Sequence, residues 1–206
     1  MVIFDFDGTI ADTIEAWFST LNSLSSKFNY SKIDKSEIEA LKNKGVKEIL
    51  REKRIPLWKL GFLLRKARLI IEQKMKYVNP MKGIPKIIET AKSKGYLIAI
   101  ITSNSKKNVE TFLSRNSIKG VDYIEGGGGL FSKHAKILKL LRTFSISPAH
   151  AFYIGDEVRD IEAARKAGVK AIAVTWGFNS SAILLKSKPD HLINNPQELI
   201  KLISTI

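Results

Sequence analysis

The chain contains no cysteine. That excludes disulfide scaffolds, thiolate zinc sites and cysteine nucleophiles by arithmetic. Long apolar runs are missing too: the longest uninterrupted one, Tyr96 to Ile101, is far too short to span a bilayer. An apolar run already under way at residue 2 is expected to leave no room for a charged leader and an apolar signal segment. The expectation is a soluble, cytoplasmic protein without a membrane partner. Neither an internal repeat nor a low-complexity tract is evident. Negative charge is scarce, with 20 acidic residues against 34 basic ones and a net charge of +14. Between Ser31 and Lys82 there are 15 Lys and Arg and 6 Asp and Glu, so +9 of the +14 lies in about a quarter of the chain. No recognition motif accompanies this excess, so solvated lysines on amphipathic helices fit it better than a nucleic-acid surface.

At 206 residues the chain can bury roughly 70% of the surface it exposes when unfolded, enough for one sizeable core or a core with a modest insert. Short β-type runs, Val2 to Phe4, Tyr96 to Thr102, Ala151 to Ile154 and Ala171 to Thr175, alternate with helical patterns. This alternation predicts an α/β fold, a Rossmann-like, doubly wound parallel sheet covered by helices on both faces. In such sheets ligands bind beyond the carboxyl ends of the strands. Between Asp12 and Met81 the strand signal stops, and Ile14, Trp17, Phe18, Leu21, Leu24 and Phe28, then Ile38, Leu41, Ile49 and Leu50, recur at helical spacing. Met81-Lys82-Gly83-Ile84-Pro85 punctuates the return. The expected organisation is an α/β core of residues 1–13 and 82–206 with an inserted helical cap of 14–81, the competing arrangement being one larger helical layer.

Four segments carry chemistry. Asp5-Phe6-Asp7-Gly8-Thr9 places two carboxylates at the end of a buried strand, which is unfavourable unless a cation binds them. A divalent ion bridging to a phosphate satisfies both acids, with Gly8 for a sharp turn and the Thr9 hydroxyl for a phosphoryl oxygen. Ile100-Ile101-Thr102-Ser103-Asn104 ends a second strand with hydroxyls; taken alone, Thr102-Ser103 reads as a helix N-cap. Lys133 opens an amphipathic helix through Ile137, Leu138, Leu141 and Phe144. At 100° per residue Lys133 falls on its inward stripe, Lys136 at the edge and Lys139 opposite. Ile154-Gly155-Asp156-Glu157-Val158-Arg159-Asp160 ends a further strand with two more acids. They share a face if a helix begins at Asp156, and by themselves they read as helix N-terminal acids. Gly126 to Gly129 read as a flexible turn, because Leu130-Phe131-Ser132-Lys133 lacks a Walker ending and no clear strand leads in. Ile161 to Ala167 is expected to form a helix ending at Gly168. Trp176-Gly177-Phe178-Asn179 suits either a pocket wall or a packed aromatic loop. His134, His150 and His191 share no metal-ligand spacing and receive no catalytic role.

In this order and at these strand ends, the four segments resemble the haloacid dehalogenase superfamily. The position and helical character of the insert look like its phosphoglycolate phosphatase and β-phosphoglucomutase branch. The resemblance implies that Asp5 attacks phosphorus to form an aspartyl-phosphate and that Asp7 serves as acid and then base. Dehalogenase and ion-pump relatives lack an aspartate at the position of Asp7, which favours phosphoryl transfer with prompt turnover. It further implies Mg²⁺ held by Asp5, the backbone carbonyl of Asp7 and Asp156, with Asp160 supporting the metal shell. Thr102 and the Ser103 N–H would hold phosphoryl oxygens, and Lys133 would neutralise charge between Asp5 and the phosphate. Arg51, Arg54, Arg65 and Arg68 are candidate substrate readers, most of them expected to face solvent. The leading reading is a Mg²⁺-dependent phosphomonoester hydrolase for a small phosphorylated metabolite. A phosphosugar mutase and a nucleic-acid-associated or polynucleotide-end phosphatase using the basic cap are the alternatives.

Overall fold

The structure, a computed structural model, describes residues 1–55, 57–129 and 132–205. Six parallel strands form one sheet: β1 (Val2–Phe4), β2 (Ile98–Ile101), β3 (Tyr123–Glu125), β4 (Phe152–Gly155), β5 (Lys170–Val174) and β6 (His191–Ile193), in the order β3-β2-β1-β4-β5-β6. The helices are α1 (Ile14–Phe28), α2 (Ile38–Lys42), α3 (Val46–Glu52), α4 (Leu57–Lys74), α5 (Ile84–Ser93), α6 (Lys106–Arg115), α7 (Lys133–Thr143), α8 (Val158–Ala167), α9 (Ser181–Lys186) and α10 (Pro196–Thr205). Side chains alternate across β1: Val2 and Phe4 enter one apolar cluster with α5, α6 and α10, while Ile3 enters another with α7, α8 and α9. Both faces are thus covered, as the unbroken apolar runs of the central strands require.

Two strands escape the sequence pattern. β3 runs directly into Gly126, so a strand does lead into the glycine turn, contrary to expectation. β3 and β6 are three residues each at the sheet edges, and only Ile193 among their residues is fully buried. Such strands lack the full burial and apolar continuity that mark β1, β2 and β4. Leu130 and Phe131, part of the glycine-turn reading, lie outside the described residues.

The helical insert has its own apolar cluster of Leu24, Tyr30, Leu50, Ile55, Leu63 and Ala67. By contrast Ile71, Met75, Val78 and Met81 belong to the cluster on the sheet face. Where the chain leaves and re-enters the sheet layer its two crossings run side by side, with Asp12 N–H donating to Asn79 O at 2.9 Å and Met81 N–H to Ile10 O at 2.8 Å. No helix among the described residues is long and apolar enough to cross a membrane.

Candidate active site

The strand order reverses between β1 and β4, and there the Asp5 N–H donates to Ile154 O at 2.8 Å. Asp5 and Asp156 therefore leave neighbouring strands at the crevice where an open α/β sheet binds ligands. Carboxylate oxygens of Asp5, Asp156 and Asp160 lie within 4.8 Å of one another, and all three residues are buried. Lys133 Nζ stands 2.6 Å from Asp5 Oδ2 and 2.5 Å from Asp160 Oδ1. Burial lowers the pKa of this ammonium, but Asp160 and Asp5 outweigh it and the net shift is upward. The order of exposure along α7 follows the helical angle: Lys133 buried, Lys136 intermediate, Lys139 exposed. Lys136 instead ties two loops together, donating to Thr102 O at 3.1 Å and to Gly127 O.

Each acid has distinct surroundings. Burial pushes Asp5 up to about 7, against the pull of Lys133. Asp156 is raised well above the carboxylate range by burial and by Glu157, Asp160 and Asp5. Its Oδ1 accepts from the Thr9 hydroxyl at 2.6 Å and its Oδ2 from Phe178 N–H at 2.7 Å. The Thr9 hydroxyl expected at a phosphoryl oxygen thus serves Asp156 instead. Asp160 lies in the first turn of α8, where Oδ2 accepts from Glu157 N–H at 3.1 Å. Since α8 begins at Val158 and is capped after Ala167 by Gly168, Asp156 precedes the helix. Asp156 and Asp160 meet through the strand-to-helix turn, not along a helical face.

Asp7 is raised by burial, with Trp17 and Asn104 pulling the other way. Asn104 Nδ2 donates to both of its carboxylate oxygens, at 3.1 and 3.2 Å. The Asn104 amide is itself oriented, its Oδ1 accepting from Ser105 N–H at 2.8 Å and Asn108 Nδ2 at 2.9 Å. Asn104 escaped the sequence reading because an asparagine in a strand-end loop carries no signal of its own. Thr102 is fully buried and its Oγ1 accepts from Asn104 N–H at 2.9 Å. The N-cap of α6 is Ser105, accepting from Asn108 N–H at 3.1 Å, so neither Thr102 nor Ser103 fills that role.

Two glycines let these groups approach. Gly8 has φ +75°, and a Cβ there would lie 2.4 Å from Asp156 Oδ2; one on Gly177 would lie 2.1 Å from the same atom. The Trp176–Asn179 loop therefore packs against the acids and also borders the site. Five carboxylates, Asp5, Asp7, Asp156, Glu157 and Asp160, are buried here beside Lys133 and Arg159, the latter ion-paired with Glu157. Hard oxygen donors with surplus negative charge fit a divalent cation.

A cavity of about 180 Å³ opens from Asp7 and Ser103 toward α1 and α4. Arg68, half-buried on α4, borders it and donates from Nη2 to Gly128 O at 2.7 Å. Of the four arginines considered, Arg51, Arg54 and Arg65 are exposed, and Arg68 alone borders this cavity among the described residues.

The sequence model of the family described as haloacid dehalogenase-like hydrolase matches residues 2–174. A phosphoglycolate phosphatase of Synechococcus elongatus is 30% identical over 100% of this chain and 97% of its own length. One of Aquifex aeolicus is 28% identical, covering 98% of this chain and 96% of that one. In fold, the chain is similar to a protein of Clostridium acetobutylicum described as a predicted phosphatase, with a TM-score of 0.85, 23% identity, and 100% and 98% of the two chains covered.

Proposed function

The chain belongs to the haloacid dehalogenase-like hydrolases and is a phosphatase, and from that premise we propose a Mg²⁺-dependent phosphomonoesterase that works through an aspartyl-phosphate on Asp5. The observation that carries this is Lys133 Nζ set between Asp5 and Asp160 at 2.6 and 2.5 Å, within a cluster whose acids still outnumber its cations. A carboxylate of Asp5 forms the bond to phosphorus as the ester P–O bond breaks, and Asp7 protonates the departing oxygen. Asp7 then takes a proton from water, which attacks the same phosphorus, releases phosphate and restores Asp5. Thr102 and the Ser103 N–H hold phosphoryl oxygens, while Lys133 keeps Asp5 in place and spreads the developing charge. Asp5, the Asp7 carbonyl and Asp156, with Asp160 in support, would hold Mg²⁺, which would supply positive charge to offset the phosphoryl oxygens.

Residues 14–81 act as a cap over the core of 1–13 and 82–206, excluding water from the acyl phosphate. Arg68 is its reader of negative charge, because it faces the site beside Asp7 and contacts the loop at Gly128. The relatives are named for phosphoglycolate, which makes that ester the first to assay. Phosphate release with Mg²⁺ is expected to fall on the order of 10⁴-fold or more in Asp5→Asn. Turnover that survives this change rejects the nucleophile, and isomer exchange without phosphate release identifies a mutase instead.

A further inference from the structure

The wall of the cavity facing Asp7 is mostly hydrocarbon. Phe18 and Leu21 of α1, Ile49 of α3, Leu60 and Leu64 of α4, and Phe178 line it. All six are only partly buried, so each still has apolar surface to cover. The Phe18 and Phe178 rings, 6.3 Å apart, bring the insert and the core loop together at one side. The cations on the wall other than Arg68 are already engaged: Lys42 with Glu39 at 2.8 Å, Lys53 with Glu37 at 2.8 Å, Lys44 with Glu52, and Arg159 with Glu157. Arg68 has no carboxylate partner among the described residues and sits toward Asp7, at the phosphoryl end.

From this arrangement we infer that the preferred substrate is a phosphomonoester whose leaving alcohol carries an apolar body of about ring size, lodged among Phe18, Leu21, Ile49, Leu60, Leu64 and Phe178. The inference rests on the phosphatase reading and narrows its substrate. A carboxylate or second phosphate pushed into this wall would lose its water without gaining an unengaged cation, a heavy cost. A hydrocarbon there removes apolar surface from water at no such penalty. The volume suits it: about 180 Å³ compares with the roughly 150 Å³ of an apolar cavity that accepts benzene. Arg68 then meets the one charged part of the substrate, its phosphoryl group, leaving the rest to the apolar wall.

The test compares benzyl, butyl and methyl phosphates, whose leaving groups are all simple alcohols, with glycerol phosphate and 2-phosphoglycolate, using the full chain and Mg²⁺. Binding of benzylphosphonate and methylphosphonate, which lack the scissile ester, is measured in parallel by calorimetry. We expect kcat/KM to rise about threefold to fourfold per added methylene up to butyl. Benzyl phosphate should exceed methyl phosphate at least about tenfold. Benzylphosphonate should bind more tightly than methylphosphonate by a similar factor, with a negative heat-capacity change. Leu64→Asp should collapse the benzyl-to-methyl ratio in both assays. Preference for 2-phosphoglycolate or glycerol phosphate over the benzyl ester overturns the inference and leaves the phosphatase reading standing. Selective phosphonate binding with no ester turned over supports the pocket and rejects the phosphatase reading. Equal binding of the two phosphonates overturns the pocket whatever the turnover.

Discussion

Asp5 and Asp7 are two residues apart and both buried, yet their neighbours suit them to different work. Asp5 faces the Lys133 ammonium at 2.6 Å, which fixes its direction and opposes, without cancelling, the upward push of burial on its pKa. Asp7 faces a neutral amide, Asn104, and burial lifts its pKa against the hydrogen bonds of Trp17 and Asn104. A raised pKa is what a group needs to enter the reaction as an acid. In the proposed mechanism Asp7 starts protonated, so the alkaline limb of kcat/KM should follow its pKa. Asn104→Ala removes donors that favour the carboxylate, so that pKa rises and the limb moves to higher pH. Hydrogen bonds to a charged group contribute about 1.5–3 kcal/mol, which corresponds to a shift of about one to two units. A pH–rate profile in which the limb stays put, or moves down, assigns Asn104 a packing role only. The two aspartates were legible in the sequence from their spacing at a strand end. Asn104 was not, because its part depends on Asn108 and Ser105 fixing which end of the amide faces Asp7.

At the scale of elements, the site is assembled by strand ends and by the loop after β5. Among the described residues no side-chain cation pairs with Asp156; both its oxygens are held by donors, the Thr9 hydroxyl and Phe178 N–H. Phe178 can reach it only because Gly177 has no side chain, since a Cβ there would come within 2.3 Å of the Asp156 carboxylate carbon. Gly177→Ala should therefore displace the carboxylate while the strands keep their pairing. We expect Mg²⁺ affinity to fall about tenfold to a hundredfold, with far-ultraviolet circular dichroism unchanged; titration by calorimetry gives the answer, and wild-type affinity removes this loop from the site. The central strands and α7 were readable because burial on both faces, or on one stripe, leaves a period in the chain. β3 and β6 were hidden by being half-buried and by carrying polar residues, Glu125 and His191, inside their three-residue runs. The clasp of Thr9 and Phe178 on Asp156 joins residues 147 positions apart in one case and 22 in the other, a relation that local spacing does not encode.

For the molecule as a whole, the charge at the site opposes the charge of the chain. A protein of net charge +14 concentrates five buried carboxylates around two cations. The basic surplus was plain from composition, whereas this local reversal follows from strand order, which brings Asp5, Asp156 and Asp160 together. Stability should carry its mark. Asp5 moves from 3.8 in the unfolded chain to about 7 in the fold, and Asp7 and Asp156 also move up. The folded form then holds protons that the unfolded chain releases, so metal-free stability falls as pH rises from about 4 toward about 7. Asp122, held low by the Ile98 N–H and Lys92 against its burial, acts below that window and in the opposite sense. A divalent cation bound here would replace the lost protons, so its stabilising effect should grow over the same range. Near a hundredfold excess over Kd, Mg²⁺ should raise Tm by roughly 5–10 °C at pH 7.5 and by much less at pH 5. Thermal unfolding with chelator and with Mg²⁺ at the two values measures this directly. Equal shifts at both, or metal-free stability that climbs between pH 4 and 7, would mean that the buried acids are not what the cation compensates.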